Sequence, residues 1–294
     1  METLRGKVVV VTGASSGLGR EAAVRFAREG SILVLASRRE DALEETASLC
    51  REAGGTALCV PTDVTKEEDV KRLADAALDY AGRVDVWVNN AGVTLFAPLD
   101  QAPFEEHRRV IETNLFGPML CARAIVPVFR RQRHGVLINV GSVLSKVGQP
   151  FVPSYVISKF GLRGLSEALR ADLADLPDVH VCTLLPYAMD TPHFEAGANY
   201  VGRGARPMAP IQSPEKVAQG IVDLAKHPRR ELLIPRYIAA GLMLHDLMPG
   251  RVERLVLDTL REWHFGDEPE PVKHGNLFAP SDERAQVHGR PPKG

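Results

Sequence analysis

The chain has 294 residues, long enough for one large α/β domain or two small ones around a substantial core. Its 36 basic and 37 acidic residues leave a net charge of −1, which excludes nucleic acid or an acidic membrane as a partner drawn by bulk charge. Cys50, Cys59, Cys121 and Cys182 are scattered, with no C-x-x-C pair and no histidine at zinc spacing. Neither a disulfide framework nor a metal site is expected, and a reduced cytoplasmic protein is the simplest reading.

In chain order, the first element is the run "KVVVVT" from Lys7. It leads straight into a glycine-rich turn, as a buried strand does and a secretory leader does not. The stretch "VVVVTGASSGLGREAAVRFA" then reads as strand, turn and helix. Gly13, Gly17 and Gly19 have no Cβ, so the chain can turn tightly and a phosphate can approach its backbone. A helix beginning near Leu18 would aim free N–H groups and its positive dipole end at that phosphate. The spacing is Gly-x-x-x-Gly-x-Gly rather than the G-x-G-x-x-G dinucleotide fingerprint. The second strand, "SILVLAS", ends at Ser37, Arg38 and Arg39 with no acid at its tip. An acid there would accept from a ribose 2′-OH, whereas Arg38 would clamp a 2′-phosphate, so NADP is favoured over NAD. Glu40 and Asp41 suit the first turn of the next helix.

The remaining strand candidates are "TALCVPT", "VDVWVNN", "GVLINVGS", "VHVCTLLP" and "ELLIP", separated by amphipathic stretches such as "EEDVKRLADAALDYAG" and "SKFGLRGLSEALRADLADL". Apolar strands alternating with helices predict an α/β fold: a doubly wound, parallel, seven-stranded sheet with helices on both faces, over residues 1–236. In "SYVISKF", Tyr155 and Lys159 stand four residues apart, so a phenol and an ammonium share one helix face. A fixed positive charge there would lower the phenol's pKa and let the pair pass a proton.

Six motifs now coincide in order: "TGASSGLG", Asp63-Val64 after the third strand, "NNAG" after the fourth, Asn114, Ser142 and "YVISK". Together they resemble the short-chain dehydrogenase/reductase family, over roughly residues 5 to 235. The resemblance implies a Rossmann fold and an NADP-dependent oxidoreductase interconverting a carbonyl and a secondary alcohol, with NAD possible. It implies that Tyr155 is the acid/base, that Lys159 binds the nicotinamide ribose and lowers the Tyr155 pKa, and that Ser142 orients the substrate oxygen. Asn114 would hold a water linking Lys159 to solvent. Ser15, Ser16, Leu18 and the three glycines would cradle the cofactor, with Asp63 and Val64 at the adenine. Asn90, Ala91 and Gly92 would pack close to it, and Asn89 would steady the central strand. Pro186 and Thr191 match the family after the sixth strand, but Tyr187 stands where it usually has Gly, bordering the nicotinamide. A catalytically silent nucleotide sensor, or an interaction protein acting through the C-terminal extension, is the alternative on the same fold.

Pocket walls should come from loops at the carboxyl ends of the strands, here Phe96, Val143, Leu144, Gln149, Phe151, Tyr187, Met189 and Phe194. Most are apolar, which suits a carbonyl or alcohol on an apolar body, and only Lys146 could meet a carboxylate.

Beyond Pro235 the rhythm changes. A helical extension is expected over 237–265, broken at Pro249-Gly250, and then a polar Pro/Gly-rich tail over 266–294. The extension spaces Leu242, Leu244, Leu247, Met248, Val252, Leu255, Val256, Leu257 and Leu260 as a helical stripe. Such a stripe needs cover from its own domain, a second subunit or a membrane surface. Its interleaved acids and bases argue against the membrane, and the family resemblance implies a homodimer or homotetramer.

Overall fold

In the computed structural model, which describes residues 3–263, 265–280 and 285–289, seven apolar runs pair into one parallel sheet. They are β1 (Val8–Thr12), β2 (Ile32–Ser37), β3 (Thr56–Pro61), β4 (Val86–Asn89), β5 (Gly135–Val140), β6 (Val179–Pro186) and β7 (Glu231–Ile234). Their spatial order is β7-β6-β5-β4-β1-β2-β3, the doubly wound arrangement that the alternation of strands and helices predicts. Successive side chains of one strand face opposite layers. Val9, Val11, Leu33, Leu35, Val86 and Ile138 therefore enter one buried cluster, and Val10, Val34, Trp87 and Leu137 enter the other.

The first layer is closed by α1 (Gly17–Arg28), α2 (Glu40–Glu52) and α8 (Pro214–Lys226). The second is closed by α3 (Glu67–Ala81), α5 (Gly117–Gln132) and α6 (Pro153–Asp172). Ahead of α5, α4 (Phe104–Ile111) runs into a π-helical turn at Glu112–Phe116. The strand order reverses between β1 and β4. Neighbouring connections leave there in opposite directions, so a crevice opens beyond the carboxyl ends of the strands. Two short ribbons lie outside the main sheet: Leu95–Phe96 paired with Ala198–Asn199, whose Phe96 lines the crevice, and Arg203–Ala205 paired antiparallel with Phe265–Pro269. The four-residue helix α7 (His193–Ala196) immediately precedes Ala198–Asn199.

The extension forms α9 (Ile238–Leu247) and α10 (Pro249–Trp263), with the break at Met248. Within the single chain, much of the stripe stays open. No residue of α9 is buried, and Met243, Leu247 and Leu255 are more than 60% exposed, whereas Leu260 is fully buried. Of the expected tail, residues 281–284 and 290–294 lie outside the described residues. Phe265, expected as the last residue of the helical extension, instead opens the strand Phe265–Pro269, and both it and Leu277 of the tail are buried in apolar clusters of the sheet domain.

Candidate active site

The crevice is a cleft of about 300 Å³. Its floor is the turn from β1 into α1. Gly13 has φ +67°, and a Cβ on it would lie 2.8 Å from the Ala91 Cα. A Cβ on Gly19 would run into the Gly13 carbonyl and the Asn90 amide. Both positions therefore require glycine. Asn90 holds the turn by donating to Thr12 O (3.0 Å) and Gly13 O (3.2 Å). Ser16 gives α1 no side-chain cap, so the N–H groups of Leu18 and Gly19 have no intrahelical acceptor and suit a phosphate.

Sixteen of the eighteen distinct residues expected for catalysis or cofactor binding line this cleft. Gly19 lies beneath Gly13, and Asn114 stands behind the wall. The Asn114 side chain accepts from Val93 N (2.8 Å) and donates to Val93 O (2.9 Å) and Ser158 Oγ (3.2 Å). Buried in the π-helical turn, Asn114 thus fastens the loop after β4 to α6.

Ser142 follows β5 by two residues and its hydroxyl caps the short turn Val143–Ser145, accepting from Leu144 N at 3.1 Å. Tyr155 and Lys159 rise from the first turns of α6. The Lys159 Nζ donates to Val140 O at 2.9 Å and lies 5.4 Å from the Tyr155 ring centroid. Burial, more than neighbouring charge, governs both groups. It pushes the Tyr155 phenol up to about 12, against the lowering hydrogen bond with Ser142. It pulls the Lys159 ammonium down to about 8. The helix is held by a polar chain through the sheet. Trp87 Nε1 donates to Asn89 Oδ1 (2.9 Å), Asn89 Nδ2 to Asn139 Oδ1 (2.8 Å), and Asn139 Nδ2 to Ser166 Oγ (2.9 Å) on α6.

At the far end, burial would raise the Asp63 carboxyl, but hydrogen bonds from Thr65 and Arg109 outweigh it and hold the pKa down. Arg109 donates to Asp63 at 3.1 Å and to Leu277 O at 3.0 Å. Arg38 reaches the same place and donates to the carbonyls of Asn276 (2.6 Å) and Leu277 (3.3 Å). The partner role of Arg109 has no mark in a helical pattern such as "EEHRRVIE", where a surface arginine is the ordinary reading.

The wall opposite the turn is largely as expected: Phe96, Val143, Leu144, Gln149, Tyr187, Met189 and Phe194 all line it. Phe151 does not. Its backbone takes φ +67°, and its ring packs edge-on against Phe265, 5.1 Å between centroids. Tyr187 is tied down by N–H donation to Ile234 O (2.9 Å) and a long contact from its hydroxyl to Ala209 O (3.4 Å). Lys146 is paired with Glu231 at 2.7 Å. His193 was not anticipated, although it adjoins Thr191 in "TPHF". Its ring centroid lies 5.8 Å from that of Tyr155. Burial, with Lys159 adding to it, pulls its pKa down to about 4, so it is neutral at pH 7.

A family profile described as short chain dehydrogenase matches residues 7–199. The chain is 38% identical to an uncharacterized oxidoreductase, YxnA, of Bacillus subtilis, over 99% of this chain and 82% of that one. It is 41% identical to 3beta-hydroxysteroid dehydrogenase 1 of Eggerthella lenta, over 76% of this chain and 88% of that one. Among solved structures, an alcohol dehydrogenase from Thermococcus sibiricus complexed with 5-hydroxy-NADP is 32% identical, with a TM-score of 0.69 over 78% of this chain and 96% of that one. A short-chain dehydrogenase/reductase from Burkholderia phymatum in complex with NAD is 27% identical, with a TM-score of 0.75 over 92% of this chain and all of that one. With the profile covering well over half of the sheet domain and the turn, sheet order and cleft all in place, the chain belongs to the short-chain dehydrogenase/reductase family of oxidoreductases.

Proposed function

We propose that the protein is an NADP-dependent oxidoreductase interconverting a carbonyl and a secondary alcohol on an apolar substrate, with Tyr155 as acid/base. The observation that carries this reading is the convergence of Tyr155, Ser142 and Lys159 on one wall of a cleft whose floor is a Cβ-free turn. A bound nicotinamide dinucleotide supplies the hydride. The residues that would hold it are the Gly13–Leu18 turn, Arg38, Asp63 and Val64, Asn90 to Gly92, Lys159, Pro186 and Thr191. Tyr155 gives its proton to the carbonyl oxygen in reduction and takes the hydroxyl proton in oxidation. Ser142 orients that oxygen, and the Lys159 ammonium offsets charge developing on the phenol. The apolar wall excludes water, and the likeness to a hydroxysteroid dehydrogenase fits an alcohol on a large apolar body. A panel of apolar ketones and secondary alcohols with NADPH, NADP, NADH and NAD tests the reading. Absence of turnover across the panel, with the nucleotide bound, would remove it.

Selection of NADP rests on Arg38 at the tip of β2, where an acid would favour NAD. Arg38→Asp removes the cation and sets a like charge beside a 2′-phosphate, so NADPH affinity should fall about 10–100-fold while NADH affinity changes little. Isothermal titration with both nucleotides decides the point, and equal losses would assign selection to another residue. Four free thiols, three of them buried, suit a reducing compartment such as the cytoplasm, and among the described residues no helix is long and apolar enough to cross a membrane. Exposed Phe116 at the end of the π-helical turn, Met119 on α5, and Ile157 and Phe160 on α6 suit burial between copies in a homodimer or homotetramer. Light scattering should give at least twice the 32.1 kDa of one chain, and a single-chain mass would contradict the assembly.

A further inference from the structure

The C-terminal residues are anchored at both ends of the cleft. At one end, Lys273 pairs with Asn199 through both backbone groups (2.9 and 3.1 Å) and donates its Nζ to Glu195 O at 2.8 Å. His274 contacts the buried Glu106 at 2.5 Å, and Leu277 is fully buried beside Val93, Leu95 and Val110. This anchor presents the carbonyls of Asn276 and Leu277 to Arg38, and that of Leu277 also to Arg109. At the other end, Gln286 O accepts from Gly17 N at 2.8 Å, at the very start of α1. His288 faces Asp190 with Nδ1 (2.9 Å) and Glu215 with Nε2 (2.7 Å), and Gly289 N donates to Asp190 Oδ1 at 3.2 Å. Asn276 and Pro280 line the cleft itself.

We infer that tail residues 273–280 and 285–289, docked on groups at both sides of the dinucleotide cleft, act as a strap that must lift at its His288 end before nucleotide can enter or leave. The inference rests on the cofactor reading above. A strap, rather than a plug, follows from what the contacts leave free. Arg38 has five N–H donors and gives two of them to the tail, so a phosphate can still be clamped. The tail takes the Gly17 amide and leaves those of Leu18 and Gly19. Both anchors act on groups that would bind one nucleotide, Arg38 its 2′-phosphate and the glycine turn a bridging phosphate, and neither uses Tyr155, Ser142 or Lys159.

The His288 contacts give the strap a pH-dependent latch. Each ring nitrogen faces a carboxylate oxygen, which only accepts when ionised, so both contacts form only with the imidazolium. Asp190, after β6, and Glu215, on α8, are the titratable groups facing it among the described residues. The hydrogen bond with Asp190 is the larger cause and that with Glu215 a lesser one; together, against desolvation, they raise the His288 pKa above its ordinary 6.5. The latch is therefore complete below that ordinary value and is lost as pH rises through the raised one.

The test displaces NADPH from the full chain, from His288→Ala, and from a chain ended after Pro280, which keeps the buried Leu277. Stopped-flow fluorescence gives the nucleotide off-rate, and hydrogen exchange of the Gly17 amide reads tail docking without nucleotide. The off-rate should rise about tenfold in the shortened chain and several-fold in His288→Ala. In the full chain it should rise with pH from about 6 to 8, and in both variants it should be flat. The Gly17 amide should be protected in the full chain and lose protection in the shortened one. Unchanged off-rates, or equal Gly17 protection with and without the tail, overturn the strap. NADPH bound by the shortened chain and refused by the full chain would make the tail a plug and also overturn it. If neither chain binds nucleotide while Gly17 protection still depends on the tail, it is the cofactor reading that fails, and gating falls with it.

Discussion

Tyr155→Phe should fold normally, bind NADPH as the parent does, and turn over about 10²–10⁴-fold more slowly, the usual loss when a positioned acid is removed. The substitution deletes one oxygen. The ring keeps its place 5.8 Å from His193 and beneath the Lys159 ammonium, so packing and nucleotide contacts survive. With burial holding the phenol at about 12, Tyr155 carries its proton throughout the physiological range and can always donate in reduction. Oxidation needs the phenolate and so leans harder on the Lys159 charge. Steady-state rates with a verified ketone, together with NADPH titration, measure both effects. Parent-like turnover would end the acid/base assignment.

Lys159→Met should separate stability from activity. The ammonium is 5% exposed and has one hydrogen-bond acceptor, Val140 O. Its pKa falls by burial from 10.5 to about 8, a penalty of about 3 kcal/mol for keeping the charge at pH 7. Methionine fills similar space without that charge and forfeits the Val140 hydrogen bond, worth about 1 kcal/mol. The variant should therefore gain about 1–2 kcal/mol, which is about 2–8 °C in Tm for a domain of this size, while losing roughly 10²-fold or more in turnover. The pH dependence gives the sign. The parent should gain stability between about pH 8 and 10.5, where the unfolded chain still binds the proton and the folded chain has released it. The variant should lack that rise. Thermal melts at pH 7, 8 and 10 read both, and a lower Tm at pH 7 would show that the charge is stabilised by partners in the fold.

The sheet was legible because its strands are near-continuous Val, Leu and Ile runs, a pattern that only burial on both faces explains. The glycine turn was legible for a related reason: Gly13 and Gly19 have no room for a Cβ. What stayed hidden depends on tertiary contact. Asn276, Leu277 and Gln286 meet the cleft through main-chain carbonyls, which every residue has, so no side-chain pattern marks them. The polar composition of 266–294 argues against a core of its own, yet gives no hint that Leu277 would fill a cavity in another. Spacing placed Tyr155 and Lys159 on one face, but not the depth of their burial, which reverses the expected direction of the phenol's shift. For the stripe on α9 and α10, the helical spacing was legible and the identity of its cover was not: a helical pattern tells which residues share a face, not whether the chain itself supplies the surface opposite.

The amide chain from Trp87 through Asn89 and Asn139 to Ser166 bears on how reliably the sheet assembles. Val, Leu and Ile on adjacent parallel strands pack almost equally well in several alignments, so oily contacts alone discriminate poorly between correct and shifted pairing. Sliding β5 by one position would turn Asn139 from the α6 side into the cluster containing Val11, Val88 and Leu184, with its amide unmatched and Asn89 abandoned. Each such orphan costs about 1–3 kcal/mol, so a misaligned intermediate carries a penalty comparable with the whole stability of many domains. Two asparagines in the middle of an oily sheet thus act as a proofreading step, admitting one pairing and setting the rotation of the helix that carries Tyr155 and Lys159.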